Sequence, residues 1–191
     1  MKLTKEDFEY LKLNVKYLDL LNKYCGIYNI NTPSRIKCFF ANLAWESNNF
    51  YTVREKIEVG SKGYEGNLSL GNTQKGDGLL FIGRGLSQLT GRWNYTDFNK
   101  WLKSNGYNYD VIASPELVCT NDELVVLSAI YFWVTKKLEV YADKDDFVNV
   151  CSIWNRGKTI VKEEDKLKIN GLSQRIEKYN LINNWFKTLV K

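Results

Sequence analysis

The run Asp122-Glu123-Leu124-Val125-Val126-Leu127-Ser128-Ala129-Ile130-Tyr131-Phe132-Trp133-Val134 is the feature that most narrows the fold. Its two leading acids suit the positive end of a helix dipole, and the residues after them are apolar nearly all the way round. Such a helix has no face to offer water, so other elements must cover it on every side. From Leu124 to Val134 it falls short of the ~20 residues that span a bilayer. The pattern therefore predicts a central buried helix, from Asn121 or Asp122 to about Lys137, and no stable membrane insertion.

The rest of the chain supplies helices to cover it. Thr4 with Asp7 forms a capping pair ahead of Phe8, Leu11, Val15, Leu18 and Leu21, whose spacing predicts a helix over 4–24 ended by Gly26. Thr32 and Pro33 are an N-cap and a first helical residue, and the helix they start runs to about Ser47. Helices are also expected from Asn94 to Leu102, from Asp145 to Trp154 and from Leu172 to Val190, the last with Ile176, Tyr179, Ile182 and Phe186 inward. No repeat or low-complexity linker interrupts the 191 residues, so one domain, 1–191, is expected. Residues 51–85 differ, holding eight of the 13 glycines and few apolar anchors. They predict a loop and short-hairpin lobe forming one wall of a cleft. The fold class is thus mainly α, an α+β arrangement with one helical domain and a small hairpin or loop lobe beside a substrate cleft.

Several chemistries are excluded at once. The chain has no histidine and four cysteines, Cys25, Cys38, Cys119 and Cys151, none in a Cys-x-x-Cys pair. That argues against a metal site and rules out Ser-His-Asp and Cys-His catalysis, and no cofactor is implied. The cysteines are expected as buried thiols and not disulfides. The net charge of +5 is dispersed instead of gathered into a basic arm, so nucleic acid is not the expected partner. The charged opening Met1-Lys2-Leu3-Thr4-Lys5-Glu6-Asp7 lacks the apolar run of a signal peptide. The expectation is synthesis in the cytoplasm, and a target outside it would have to be reached through another agent.

What remains is carboxylate chemistry. Glu46 and Glu55 lie nine residues apart around a helix end, and paired carboxylates of this kind serve glycoside hydrolysis as acid and base. Glu46 meets the negative end of its helix dipole, which disfavours the charged form and suits a general acid. Glu58 and Glu65 are rivals to Glu55. Gln88, Thr90 and Asn94 follow on a glycine-rich turn, able to hold a catalytic water or an acetamido group, although turn-forming is the commoner use of such residues. Trp45, Tyr51, Tyr64, Trp93 and Tyr95 are candidates to stack on sugar rings, and Arg84, Arg92 and Arg175 to fix carboxylates bidentately.

Four segments carry a family resemblance: Asn31-Thr32-Pro33 through Trp45-Glu46-Ser47-Asn48-Asn49-Phe50; Leu70-Gly71-Asn72-Thr73-Gln74 with Gly83-Arg84-Gly85-Leu86-Ser87-Gln88-Leu89-Thr90-Gly91-Arg92 and Asn94-Tyr95; Ser114-Pro115-Glu116-Leu117-Val118 with Ala129 to Trp133; and Asn170-Gly171-Leu172 with Arg175 and Tyr179. In that order they resemble the family 19 glycoside hydrolases, in particular the compact branch found among phage endolysins. The resemblance implies a lysozyme-like fold, Glu46 as general acid, Glu55 as the base of an inverting reaction and Thr90 as a holder of the water. It implies substrate binding by Gln88, Asn94, Tyr95 and Asn155, and support of the acid by Arg175. A neighbour such as Ser61 is the alternative water-positioning group. The implied substrate is the peptidoglycan glycan strand, with chitin oligomers second and a wall-binding protein of weak activity third. The implied agent is a monomer released by a holin-type partner. Three departures stand out: Trp45 where the family has histidine, Asn48-Asn49 for Gly-Gly, and a charged stretch after Trp154-Asn155-Arg156-Gly157.

Overall fold

The computed structural model describes residues 2–57 and 63–189. It is mainly helical: α1 (Lys5–Tyr10), α2 (Leu18–Ile27), α3 (Pro33–Glu46), α4 (Asp77–Leu80), α5 (Arg92–Ser104), α6 (Leu117–Thr120), α7 (Asp122–Thr135), α8 (Glu139–Ala142), α9 (Phe147–Arg156) and α10 (Leu172–Leu189), with short 3₁₀ turns at Val15–Tyr17, Leu68–Leu70 and Glu163–Lys168. The chain divides into two compact units, one of residues 1–50 and 132–191, the other of residues 51–131. Among the described residues no helix is long and apolar enough to cross a membrane.

In the first unit α3 is the hub, packed on α10, α9 and α8. Thr32 accepts from the Arg35 N–H at its start, with Pro33 in the first turn as its sequence foretold. Phe39 meets Trp133 edge-on at 5.4 Å and Trp154 at 6.1 Å, while Phe40 packs with Phe8 and Phe50 at 6.0 Å each. The helix expected over 4–24 is broken in two. Lys12 takes a left-handed φ of 54° and the Leu13 N–H returns to the Phe8 carbonyl, so α1 stops and the chain re-enters helix only after Asn14 caps the next turn. The apolar spacing survives the break because both pieces face one core, and α2 then runs through Gly26 to Ile27. On α10 the buried stripe is Arg175, Ile182 and Trp185, while Ile176 is exposed. An arginine has taken the inward place that periodicity assigned to its apolar neighbour.

In the second unit the stretch of α7 from Leu124 to Ile130 is buried, as its composition required. Phe98 packs on Tyr131 at 5.2 Å and Phe81 on Tyr95 at 5.1 Å. Among the described residues the expected hairpin is reduced to two antiparallel bridges, Arg54 with Arg84 and Arg84 with Leu89. Arg84 and Leu89 exchange both backbone hydrogen bonds, at 3.1 and 2.8 Å, around the loop 85–88. The four cysteines are free thiols, three of them buried. Burial pushes Cys151 up to about 12 and raises Cys25 and Cys38 as well, so these three are inert packing groups.

Candidate active site

Glu46 is the last residue of α3, half-buried in the first unit. Its Oε1 accepts a hydrogen bond from Nη2 of Arg175, a guanidinium with no exposed surface. Arg175 is held in turn by two further acceptors: Nη1 donates to Asn42 Oδ1 at 2.7 Å and Nε to the Asn170 carbonyl at 3.1 Å. Asn42 lies one helical turn before Glu46 on the same face, is fully buried, and donates to the Cys38 carbonyl at 2.8 Å. The result is a carboxylate with one oxygen fixed, while Oε2 has no hydrogen-bond partner among the described residues. That free oxygen is the position from which an acid can deliver a proton.

The chain after Glu46 turns sharply. Asn48, Asn49 and Phe50 take φ of 49°, 55° and 72°, three successive left-handed residues. Asparagine accepts that region better than most side chains, which explains why this turn tolerates Asn-Asn where the resembled pattern has Gly-Gly. Ser47 braces it, donating to the Leu43 carbonyl at 2.6 Å and accepting the Phe50 N–H at 3.1 Å. Trp45 packs close against Gly171: a Cβ there would sit 2.1 Å from the indole, so only glycine fits. Asn155 is exposed and accepts the Asn170 N–H at 3.0 Å through Oδ1. It thereby secures the residue whose carbonyl holds Arg175.

Glu55 belongs to the second unit, beside the Arg54–Arg84 bridge. Its N–H donates to the Gly83 carbonyl at 2.8 Å, and the Gly83 N–H returns to its Oε2 at 3.1 Å. Tyr64 donates to the other oxygen, Oε1, at 3.0 Å. A Cβ placed on Gly83 would meet Gln88 Oε1 at 2.9 Å, Glu55 Oε2 at 3.2 Å and Thr90 Oγ1 at 3.2 Å. A carboxylate, an amide and a hydroxyl oxygen thus gather around one glycine. Gln88, at a left-handed φ of 53°, donates its Nε2 to the Gly85 carbonyl at 3.1 Å, and Thr90 donates to the Gln88 carbonyl at 2.9 Å. Asn94, exposed on the first turn of α5, donates to the Thr90 carbonyl at 2.7 Å.

Tyr95 requires correction. It was expected at the substrate, but it has no exposed surface; its hydroxyl accepts from Arg84 Nη1 and donates to the Ile82 carbonyl, both at 3.0 Å. Its hydroxyl helps hold Arg84, which reaches Glu116, and no sugar can touch it. Glu65 is also committed elsewhere, since Oε1 and Oε2 accept the Gly76 and Gly78 N–H groups at 2.7 and 2.8 Å. Glu58 and Ser61 lie outside the described residues. Arg92 makes the expected bidentate pair, at 2.8 and 2.5 Å, with the buried Asp77. Sequence reasoning missed Asn42, although its spacing of four from Glu46 was a usable signal. It read Tyr64 as a ring for stacking, and the hydroxyl contact with Glu55 had no local sign.

No protein-family model matches the chain. A Haemophilus influenzae protein described as a glycosyl hydrolase family 19 domain-containing protein is 32% identical over 109 residues, 57% of this chain and 50% of its own length. The chain therefore spans about half of that relative. Among solved structures, chitinase C from Streptomyces griseus superposes with a TM-score of 0.73 at 15% identity, covering 95% of this chain and 90% of that one. A bacterial family 19 chitinase gives 0.65 at 17% identity, over 94% of each chain. The fold is the mainly helical, lysozyme-like one of those chitinases. In sequence and in fold alike, the chain is similar to glycoside hydrolase family 19.

Proposed function

We propose that this chain is a family 19-type glycoside hydrolase that cuts β-1,4 bonds in the amino-sugar strand of peptidoglycan. The oxygen cluster around Gly83 carries the reading: Glu55 Oε2, Gln88 Oε1 and Thr90 Oγ1 lie where one water can be gripped by a base, an acceptor and a hydroxyl. Glu46, anchored by Arg175, is the general acid, and its Oε2 proton passes to the leaving glycosidic oxygen. The water attacks the anomeric carbon as that bond breaks, and its proton passes to Glu55 Oε2, which inverts the configuration. Gln88, Asn94 and Asn155 are proposed to hold the sugar amides and hydroxyls. The 1–191 chain is proposed to act as one catalytic domain and as a monomer, reaching the wall through a lesion that a holin-type partner opens.

The net charge of +5 favours an anionic wall polymer over neutral chitin. Chitin is the second reading, supported by the structural neighbours being chitinases. Mass spectrometry of products from purified peptidoglycan and from chitin oligomers separates them, with Glu46→Gln as the blank. Reducing muropeptides with chitin untouched support the wall substrate. Cleavage of chitin alone replaces it, and cleavage of neither refutes the enzyme.

A further inference from the structure

We infer that Tyr64 is a positioning residue that holds Glu55 in place as the water-activating base, a role that rests on the reading of Glu55 just given. The two oxygens of Glu55 have different partners. Oε1 takes the Tyr64 hydroxyl at 3.0 Å, whereas Oε2 takes the Gly83 N–H at 3.1 Å and lies in the cluster with Gln88 and Thr90. A carboxylate oxygen has two acceptor directions, so Oε2 can accept the amide and a water proton together. Tyr64 thus grips the oxygen that does no proton transfer and sets the direction of the one that does.

The tyrosine is itself built in. Its carbonyl accepts from Asn72 Nδ2 at 2.8 Å, and the fully buried Asn72 accepts the Arg92 N–H at 2.9 Å through Oδ1, tying Tyr64 to the start of α5. The next residue, Glu65, is bound through both oxygens to the turn before and within α4. Burial, then the charge of Glu55, pushes the Tyr64 phenol up to about 12, so it keeps its proton and stays a donor at every working pH. A ring meant only to stack on sugar needs none of this.

The test is a double-mutant cycle of Tyr64→Phe and Glu55→Gln in the full chain, assayed for kcat and KM on whichever of purified peptidoglycan or chitin oligomers the protein cuts. Tyr64→Phe is expected to lower kcat about 10–100-fold, the worth of one hydrogen bond to a charged group, with KM within about twofold. In the Glu55→Gln background the same change should cost nothing further. Losses that add, or a loss confined to KM, overturns the inference while leaving Glu55 as the base. Near-normal turnover by Glu55→Gln alone overturns both.

Discussion

Asn42→Leu tests whether the carboxamide behind Arg175 secures the acid. The substitution nearly preserves volume but removes the Oδ1 that accepts Arg175 Nη1 at 2.7 Å. The Cys38 carbonyl loses its bond from Nδ2 but keeps its place in the α3 ladder, so that loss is minor. The dominant cost is a charged N–H left without an acceptor where neither Asn42 nor Arg175 has any exposed surface. Such a group costs about 1–3 kcal/mol or more. At roughly 2–4 °C per kcal/mol for a chain of this size, the melting temperature should fall by about 2–12 °C. Thermal unfolding followed by circular dichroism reads this directly. Arg175→Met should also destabilise, by removing the partner of Glu46. The double variant should lose less than the sum, because no buried guanidinium is left unpaired. A melting temperature for Asn42→Leu within a degree of wild type, or strictly additive losses, would refute the reasoning.

Glu46→Gln keeps an acceptor for Arg175 and should fold normally while turnover falls by about 10²–10⁴-fold; a wild-type rate would remove Glu46 from the acid role. Gly83→Ala puts a methyl 2.9 Å from Gln88 Oε1 and 3.2 Å from Glu55 Oε2 and Thr90 Oγ1, so kcat should drop at least about tenfold, the scale of one misplaced catalytic group, with the melting temperature little changed. An active alanine variant would show that the cluster does not hold the water. Arg92 hydrogen bonds hold the Asp77 carboxyl below its usual range. A depressed folded-state value gives stability that is present above about pH 4 and lost as pH falls through it. Urea unfolding at pH 7 and pH 3.5 should therefore show a smaller acid loss in Asp77→Asn, whose stability at pH 7 is already reduced; equal slopes would deny the linkage.

Local patterns carried much of this molecule. The all-round apolar run of α7 required burial, and Thr32-Pro33 marked the start of α3 because a cap and a proline act within one turn. Glu46, Glu55, Gln88 and Thr90 stood out as candidates because each sits in a short contiguous motif, and the resemblance to family 19 rested on the same segments; of these, Glu55, Gln88 and Thr90 bring their oxygens together around Gly83. The free thiols followed from chemistry, since the residues around Cys38 and Cys151 are apolar.

Only the tertiary structure decided the rest. It broke the first helix at Lys12, where a left-handed residue sits inside an uninterrupted apolar spacing. It buried Tyr95 and Arg175 and turned Ile176 outward. It gave Glu46 the partner Arg175, itself held by Asn42, and bound Glu55 to Gly83 and Tyr64. Periodicity and capping are energies of neighbours along the chain, readable from spacing. The partner of a buried polar group is chosen by whatever distant atom satisfies it, and here that choice joins residues as far apart as 42 and 175.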